Sequence, residues 1–179
     1  MRISVIGPSG SGKSTLAARL AAEFGVARIE LDAINWQAGW RDLNTHDRPA
    51  FIRRVVAAAA GEAWVCDGNY STVRQALWPR LTHLVWLDFD PIVFMPRVLR
   101  RSFVRSLTRR PLWNGNRESW ASWLDREHPA RFAWDTWRSR RAAYEALLAK
   151  PEWSHLEVHR LRHPRETDAL IGALKSEAA

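Results

Sequence analysis

The sequence predicts an α/β fold with a parallel sheet, and three observations lead to this prediction. Short apolar runs alternate with longer segments of helical periodicity along the chain. A glycine-rich loop, residues 7–14, follows the first apolar run directly and opens the first helical segment. The chain has 179 residues, which is the length of one domain that can bury a core. We therefore expect a single domain over residues 1–179.

The apolar runs predict five strands, and the periodic segments between them predict helices. The predicted strands are Arg2–Ile6, Arg28–Leu31, Ala63–Cys66, His83–Leu87 and Leu156–Leu161. The first helix repeats Leu16, Leu20 and Phe24 at four-residue spacing and ends at Gly25, a favourable C-terminal cap. The other predicted helices are Pro49–Ala60, Pro91 to about Val104 with Asp90 as its cap, Ala130–Leu148 and Thr167–Lys175.

The composition is that of a soluble globular protein, with 46% hydrophobic and 26% charged residues. No run approaches the roughly 18 apolar residues of a membrane span, and the first strand begins at once. We therefore predict neither a membrane segment nor a signal peptide. Cys66 is the only cysteine, which excludes an internal disulfide and a multi-cysteine metal site. These features favour a reducing, cytoplasmic location.

The positive charge of the chain is concentrated in one segment. The formal net charge is +8, and residues 91–150 carry 13 Lys and Arg against 5 Asp and Glu. The rest of the chain is neutral, with 14 residues of each sign. Arginine outnumbers lysine 24 to 3, and its planar guanidinium is suited to bidentate contacts with phosphate. The segment therefore predicts an anionic partner.

An insertion between the fourth and fifth predicted strands differs from the rest of the chain. Residues 108–129 contain two prolines and three tryptophans and show no clear periodicity. The segment also includes the turn Trp113-Asn114-Gly115-Asn116. We predict that residues 105–130 form a mobile lid.

Two groups of arginines flank this lid. Arg97, Arg101 and Arg105 are spaced by four residues and share one face of the helix that leads into the lid. Arg138 and Arg141 lie three apart on the helix that returns from it. Lid arginines stabilise the negative charge that develops during phosphoryl transfer. We expect one residue of each group to contact phosphate, with Arg101, Arg138 and Arg141 as the candidates.

The glycine-rich loop matches the pattern G-x-x-x-x-G-K-[ST] at every fixed position and lies between a strand and a helix. The backbone N–H groups of such a loop bind the phosphates of ATP or GTP, aided by the N-terminus of the helix. We expect Lys13 to reach the β- and γ-phosphates and the Ser14 hydroxyl to coordinate Mg²⁺. The predicted nucleotide-binding residues are Gly7, Pro8, Ser9, Gly10, Ser11, Gly12, Lys13, Ser14 and Thr15.

A phosphate-binding loop of this kind needs a second acidic group near Mg²⁺. Asp67 and Asp88 both follow apolar runs and are the two candidates. Asp88 precedes a helix start closely, so that capping alone can explain an aspartate there. Asp67 is followed by Gly68, which allows a ligand to approach the backbone. We therefore predict Ser14 and Asp67 as the Mg²⁺ ligands.

Asp32 marks the position of a second substrate. It ends the second predicted strand, and ligands of open α/β sheets bind beyond the carboxyl ends of the strands. An aspartate at this position can orient an acceptor hydroxyl or take its proton. Trp36 and Trp40 follow in the same loop and are predicted to form an aromatic wall for the acceptor. Alternatively, Asp32 makes only local hydrogen bonds in a turn. The alternative for Trp36 and Trp40 is that they belong to the hydrophobic core.

These motifs together resemble the DNA topology modulation (FlaR-like) family of P-loop kinase-like proteins, which are related to adenylate kinase. The motifs that carry the resemblance are Ile6–Thr15, Leu31-Asp32 to Trp36, Gly39-Trp40, Val65–Tyr70, Leu87-Asp88, Trp113–Asn116 and the Arg138 to Arg141 cluster. The resemblance implies a nucleoside-monophosphate-kinase architecture with a five-stranded parallel sheet of order 2-3-1-4-5 and an arginine-bearing lid. It also implies ATP and Mg²⁺. The chain carries Asn69-Tyr70-Ser71 where adenylate kinases have Phe-Pro-Arg, so that the resemblance does not extend to AMP as the acceptor.

Three functions are compatible with the sequence. The first is a kinase that transfers phosphate from ATP·Mg²⁺ to a nucleotide or small-molecule acceptor. The second is an ATP-dependent nucleic-acid-binding protein, whose arginines would contact phosphates and whose tryptophans would stack on bases. The third is a nucleotide sensor that hydrolyses ATP slowly. The kinase hypothesis predicts that the arginines converge on a pocket opposite Lys13, whereas the nucleic-acid hypothesis predicts a basic patch that needs no ATP. The sequence leaves the oligomeric state open.

Overall fold

A five-stranded parallel sheet lies at the centre of the computed structural model, which describes residues 1–125 and 128–178. The chain order of the strands is β1 (Arg2–Ile6), β2 (Ala27–Glu30), β3 (Trp36–Gln37), β4 (Arg41–Asp42), β5 (Trp64–Asp67), β6 (His83–Leu87) and β7 (Glu157–Leu161). The strands β3 and β4 form a separate antiparallel hairpin, and the sheet has the order β2-β5-β1-β6-β7. When only the five strands of this sheet are numbered along the chain, their order is the predicted 2-3-1-4-5. The predicted fold class is confirmed.

Helices connect the strands of the sheet. They are α1 (Lys13–Phe24), α2 (Leu31–Asn35), α3 (Leu43–His46), α4 (Arg48–Ala58), α5 (Arg74–Leu77), α6 (Pro91–Thr108), α7 (Pro129–Leu148) and α8 (Glu166–Ala178). Gly25 ends α1 in the left-handed conformation, as its position in the sequence predicts. Within the described residues, no helix is long and apolar enough to cross a bilayer.

Several predicted bounds differ from the structure, and two details of the predicted elements have local reasons. The second strand was expected to include Leu31, but β2 ends at Glu30 and Leu31 begins the short helix α2. A five-residue helix is too short to show a helical period in the sequence. Asp90 precedes α6 as expected but makes no capping hydrogen bond with its side chain, because Arg141 binds that carboxylate instead.

Alternation along the strands creates two hydrophobic cores, one on each face of the sheet. In β6, Leu84 and Trp86 face the core that also contains residues of α4 and α7. Val85 and Leu87 face the opposite core, which contains residues of α1 and α8. The sheet is therefore covered on both faces, which is the usual condition of a parallel sheet.

The predicted lid, residues 105–130, includes Arg126 and Glu127, which lie outside the described residues. Residues 105–108 belong to α6 and residues 129–130 to α7, and the part around Asn116 packs against the β3–β4 hairpin. Asn116 is buried, its side-chain amide donates to Gln37 O (2.8 Å), and its Oδ1 accepts from the backbone N–H of Trp40 (2.9 Å). This part of the insertion is held to the hairpin by hydrogen bonds between side chains and backbone, which require no periodic sequence pattern.

Neighbouring valines of α4 provide a matched test of the core on the α4 face. Val55 is 0% exposed and Val56 is 42% exposed. We expect Val55→Ala to lower the free energy of unfolding by about 2 kcal/mol, through lost burial and the cavity left behind. Val56→Ala should change the free energy of unfolding by no more than about 0.5 kcal/mol. Urea denaturation measures both, and equal losses at the two positions would contradict this packing.

Candidate active site

The loop between β1 and α1, residues 7–12, leaves the carboxyl edge of the sheet and leads into the N-terminus of α1. Gly12 has φ of +96°, and a Cβ atom placed there would meet nothing within 4 Å, so that the backbone faces open space. Gly10 has φ of +82°, and a Cβ there would collide with the carbonyl oxygen of Phe94 in α6. The loop is therefore open to solvent at Gly12 and packs tightly against α6 at Gly10.

Lys13 begins α1 and provides a cation next to this open backbone. Its Nζ donates a hydrogen bond to Pro8 O at 3.0 Å. Burial lowers the pKa of the Lys13 ammonium from 10.5 to about 8, with a smaller upward effect from Asp32 and a smaller downward effect from Arg101. Lys13 forms no ion pair within residues 1–125 and 128–178, so that its charge is available to an anionic ligand.

Two cavities meet at Lys13. The first, which we call the loop cavity, has a volume of about 540 Å³ and extends from the glycine-rich loop towards Arg97 and Thr167. The second, which we call the aromatic cavity, has a volume of about 500 Å³ and is lined by aromatic side chains. Residues that line both cavities are Lys13, Ser14, Asp32, Arg101, Arg105 and Trp113.

Asp32 lies in the first turn of α2, directly after β2, and lines both cavities. Its Oδ1 accepts a hydrogen bond from the Tyr70 hydroxyl at 2.7 Å. Burial and the nearby Asp32 carboxylate raise the pKa of Tyr70, so that Tyr70 keeps its proton and donates it. The sequence predicted Asp32 at this edge but not the tyrosine that orients it. The signal was present, because Tyr70 follows the adjacent strand β5 by three residues.

Trp36 and Trp40 line the aromatic cavity beside Asp32, in agreement with the predicted aromatic wall. Their rings are 5.5 Å apart and nearly perpendicular, at 78°. The β3–β4 hairpin presents both rings, and the lid segment supports them, because Asn114 donates to Trp36 O. The alternative in which these tryptophans belong to the hydrophobic core does not agree with their positions.

The arginines of α6 approach the loop cavity as their four-residue spacing predicts. Arg97, Arg101 and Arg105 all line it together with Lys13. Arg105 is neutralised by Glu118, at 2.9 Å. Arg101 forms no ion pair within the described parts of the chain, and its buried Nε has no hydrogen-bond partner there. Burial and the neighbouring Arg105 lower the pKa of Arg101, which nevertheless stays charged at neutral pH.

The arginines of α7 are arranged differently from the prediction. Arg141 Nε binds Asp88 Oδ1 at 2.6 Å, and its Nη2 binds Asp90 at 2.9 Å. Arg138 is exposed and stacks over Trp137, with its Cζ 5.0 Å from the ring centroid. Neither side chain lines the loop cavity or the aromatic cavity. A phosphate contact by Arg138 or Arg141 therefore remains a prediction that this arrangement does not favour.

Arg140 is the arginine of α7 whose charge acts on Lys13. It contributes to the lowering of the Lys13 pKa, and together with the predicted Arg141 it lines a narrow cleft with Gly7, Pro8 and Ser9. Sequence reasoning missed it because the choice rested on the spacing of the arginines alone. The sequence does not separate the two arginines, because Arg140 lies seven residues after the buried Ala133 and Arg141 lies eleven residues after the buried Ala130, and both are helical spacings.

The two candidate Mg²⁺ aspartates have different surroundings. Asp88 is 5% exposed and both its oxygens are bound by arginines, since Arg160 contacts Oδ2 at 2.6 Å. Asp67, at the end of β5, is also buried, and its Oδ2 lies 3.5 Å from Arg28. Its Oδ1 has no hydrogen-bond partner among the described residues. An unpartnered buried carboxylate oxygen at this edge fits a cation or its water ligands, whereas the saturated Asp88 does not.

The residues after Asp67 serve the architecture of the loop. A Cβ at Gly68 would contact the Leu31 side chain at 2.9 Å, so that the close approach is made by α2 and not by a ligand as expected. Asn69 donates from Nδ2 to Gly7 O at 2.6 Å and accepts from Gly7 N at 3.1 Å. This pair of hydrogen bonds joins the start of the glycine-rich loop to the end of β5. Sequence reasoning missed this role of Asn69.

Comparison of the sequence with known families finds a match to only part of the chain. Residues 3–87 match the family model AAA_33, which is described as an AAA domain. The matched region contains the glycine-rich loop, Asp32 and Asp67, and it ends before the helix that leads into the lid. No curated protein matches the chain significantly.

Comparisons of the structure reach nearly the whole chain. A shikimate kinase from Acinetobacter baumannii in complex with shikimate has a TM-score of 0.58 and 19% identity, with 98% of this chain and 93% of that chain covered. A shikimate kinase from Aquifex aeolicus has a TM-score of 0.53 and 17% identity, with coverage of 99% and 98%. A sugar kinase from Janibacter sp. HTCC2649 has a TM-score of 0.52 and 24% identity, with coverage of 98% and 92%. The chain therefore has the α/β P-loop kinase fold.

Proposed function

We propose that the protein is an ATP- and Mg²⁺-dependent phosphotransferase that acts on a hydroxyl group of a small molecule. The observation that carries this proposal is the meeting of two cavities at Lys13, Ser14, Asp32 and Arg101. The loop cavity has the open backbone of a phosphate site, and the aromatic cavity has the size of a small-molecule site. A phosphoryl group that passes from one cavity to the other would cross the point where they meet.

The residues at this point have complementary roles in the proposed reaction. Asp32, held by Tyr70, takes the proton of the acceptor hydroxyl, whose oxygen then forms a bond to the γ-phosphorus while the bond to the β-phosphate oxygen breaks. Lys13 and Arg101 are free of carboxylate partners in the described chain and stabilise the negative charge of the transferring group. Ser14 and Asp67 would hold Mg²⁺, which neutralises charge on the bound phosphates.

The aromatic cavity supports a small hydroxylated acceptor. Trp36 and Trp40 offer ring faces and edges, and Arg101 offers a cation to an anionic substituent. The volume of about 500 Å³ is that of a site for one small molecule. The structural neighbours named as shikimate and sugar kinases make shikimate-like hydroxy acids and sugars the first acceptors to test.

The position of the arginines supports the kinase hypothesis over nucleic-acid binding. The kinase hypothesis predicted convergence on a pocket opposite Lys13, and Arg97, Arg101 and Arg105 line that pocket. The resemblance to DNA topology modulation proteins remains a hypothesis about family membership, and it does not define a reaction. The cytoplasmic location and the cofactors ATP and Mg²⁺ are likewise proposals.

A phosphoryl-acceptor screen tests the proposed function. The purified protein is incubated with γ-labelled ATP, Mg²⁺ and sets of hydroxy acids, sugars and nucleosides. We expect label transfer to one of these classes, and we expect Lys13→Ala to reduce transfer by about 100-fold or more, because it removes a cation that stabilises the transition state. Circular dichroism checks that the variant is folded. A folded Lys13→Ala protein with the parent rate would sink the assignment of the phosphate site.

Asp32 and Asp47 form a matched pair for the role of the acceptor-side carboxylate. Asp32→Asn should lower kcat by about 100-fold or more while the Kd for ATP changes little, because a general base acts in transfer and not in nucleotide binding. Asp47 caps α4 from an exposed position, and an asparagine caps equally well. Asp47→Asn should therefore leave both quantities unchanged. Equal losses of ATP affinity and kcat in Asp32→Asn would place Asp32 with the nucleotide instead.

Substitution by asparagine should have different effects at the two buried aspartates, Asp67 and Asp88. Asp67→Asn should raise the Mg²⁺ concentration required for half-maximal activity by about tenfold or more, because it removes an anionic ligand. Asp88→Asn should lower the thermal midpoint, because it weakens a carboxylate bound by two arginines, and it should leave the Mg²⁺ requirement unchanged. Activity titrations with Mg²⁺ and thermal melts measure the two effects. A larger shift of the Mg²⁺ requirement in Asp88→Asn would reverse the assignment.

A further inference from the structure

A cluster of imidazoles and carboxylates lies at the amino-terminal edge of the sheet, opposite the glycine-rich loop. His83 is the first residue of β6, and Glu157 and His159 are the first and third residues of β7. Residues two apart on a strand share a face, and the register places His83 beside Glu157. Glu177, in the last turn of α8, reaches the same face. We call these four residues the amino-edge cluster.

The side-chain atoms of the cluster converge. His83 Nε2 is 3.2 Å from Glu177 Oε1 and 3.5 Å from Glu157 Oε2, and His159 Nε2 is 3.3 Å from Glu157 Oε1. The two imidazole rings are stacked with their centroids 5.6 Å apart and an angle of 8° between them. One ligand atom each from His83, Glu157 and His159 fits within 4.8 Å. Small side-chain rotations bring such atoms to the bond lengths of roughly 2.0–2.2 Å that a bound transition metal needs.

A hydrogen bond with Thr82 orients the imidazole ring of His83 so that its Nε2 faces the cluster. The Thr82 hydroxyl donates to Arg2 O at 3.0 Å and accepts from Arg2 N at 2.9 Å. Because its single proton is used in this way, the 2.7 Å contact between Thr82 Oγ1 and His83 Nδ1 has the imidazole as the donor. Nδ1 therefore carries a proton, and Nε2 is the ring nitrogen that faces Glu177 and Glu157. Metal-bound histidines are commonly oriented by a hydrogen bond of this kind.

The other imidazole has a polar atom that the protein does not satisfy. His159 Nε2 is buried and makes no well-directed hydrogen bond within the described residues, although Glu157 lies close to it. An unsatisfied buried nitrogen is uncommon and calls for a partner. Ion pairs between protonated histidines and the two glutamates are the simpler alternative, but they do not supply a hydrogen bond to this nitrogen. A cation bound by His83, Glu157 and His159 would give this nitrogen a partner, and Glu177 lies beside His83 as a fourth candidate ligand.

We propose that the amino-edge cluster binds a divalent transition metal, with Zn²⁺ as the fitting ion. His83, His159 and Glu157 offer two imidazole nitrogens and one carboxylate oxygen, with Glu177 as the fourth candidate ligand. Zinc accepts such a set in tetrahedral geometry, whereas Mg²⁺ prefers oxygen ligands alone. Both glutamates are about half exposed, so that an ion can enter from solvent. The ion would join α8 to β6 and β7. Its role would therefore be structural, since the cluster lies at the edge opposite the phosphate site.

Titration calorimetry of the chelator-treated protein with Zn²⁺, in the presence of excess Mg²⁺, tests this proposal. We expect one Zn²⁺ per chain and a higher thermal midpoint when Zn²⁺ is bound. His159→Ala and Glu177→Gln should each weaken Zn²⁺ binding by about 100-fold or more and abolish the thermal shift. These two variants avoid the more deeply buried His83, whose loss can disturb the fold.

Two control variants separate the amino-edge cluster from other sites. His46→Ala removes an exposed histidine outside the cluster and should leave Zn²⁺ binding unchanged. Asp67→Asn alters the proposed Mg²⁺ site and should also leave Zn²⁺ binding unchanged. Binding that survives His159→Ala and Glu177→Gln, or that disappears in Asp67→Asn, would overturn the proposal. So would the absence of binding to the parent protein, and none of these outcomes bears on the proposed transfer reaction.

Discussion

The two ion pairs of Asp88 fix the position of α7 and, with it, one wall of the candidate active site. Asp88 follows β6 at the carboxyl edge of the sheet and is almost fully buried. A buried carboxylate costs several kcal/mol unless charged donors surround it. Arg141 from α7 and Arg160 from β7 supply those donors, and Arg160 also binds Glu145 of α7 at 2.6 Å. The long helix α7 is thus joined to the end of β6 through Asp88 and to β7 through its own Glu145.

Of the cations that line both cavities, Arg105 is paired with Glu118, whereas Lys13 and Arg101 are not. Arg141 and Arg160 are neutralised, while Lys13 and Arg101 have no carboxylate partner in the described chain. The lowered pKa of Lys13, about 8, shows that its burial and the cations around it outweigh the nearby Asp32 and Asp67. A bound polyphosphate reverses this balance, because its negative charge favours the protonated ammonium. The site is therefore prepared for an anion before the anion arrives.

The parts of the site that the sequence predicted are those with a local pattern. The loop, the four-residue spacing of Arg97, Arg101 and Arg105, and Asp32 at a strand end all follow from spacing and strand order. The parts that it missed depend on contacts across the fold. Asn69 reaches the loop from β5, and the inward position of Arg140 follows from how α7 packs. No local pattern distinguishes Arg141, which binds Asp88, from Arg140, which faces the loop, since both are arginines of the same helix.

The two edges of the sheet are connected through α1 and α8. Leu170, Ile171 and Leu174 of α8 pack in one core with residues of α1, whose N-terminus is the proposed phosphate site. The salt bridges Arg19–Asp168 and Lys175–Glu23 add exposed contacts between these helices, which contribute little by themselves. The amino-edge cluster holds the end of α8 that lies farthest from the phosphate site. A metal bound there would act on α1 through the whole length of α8, and its effect would fall on the stability of the phosphate site more than on the chemistry within it.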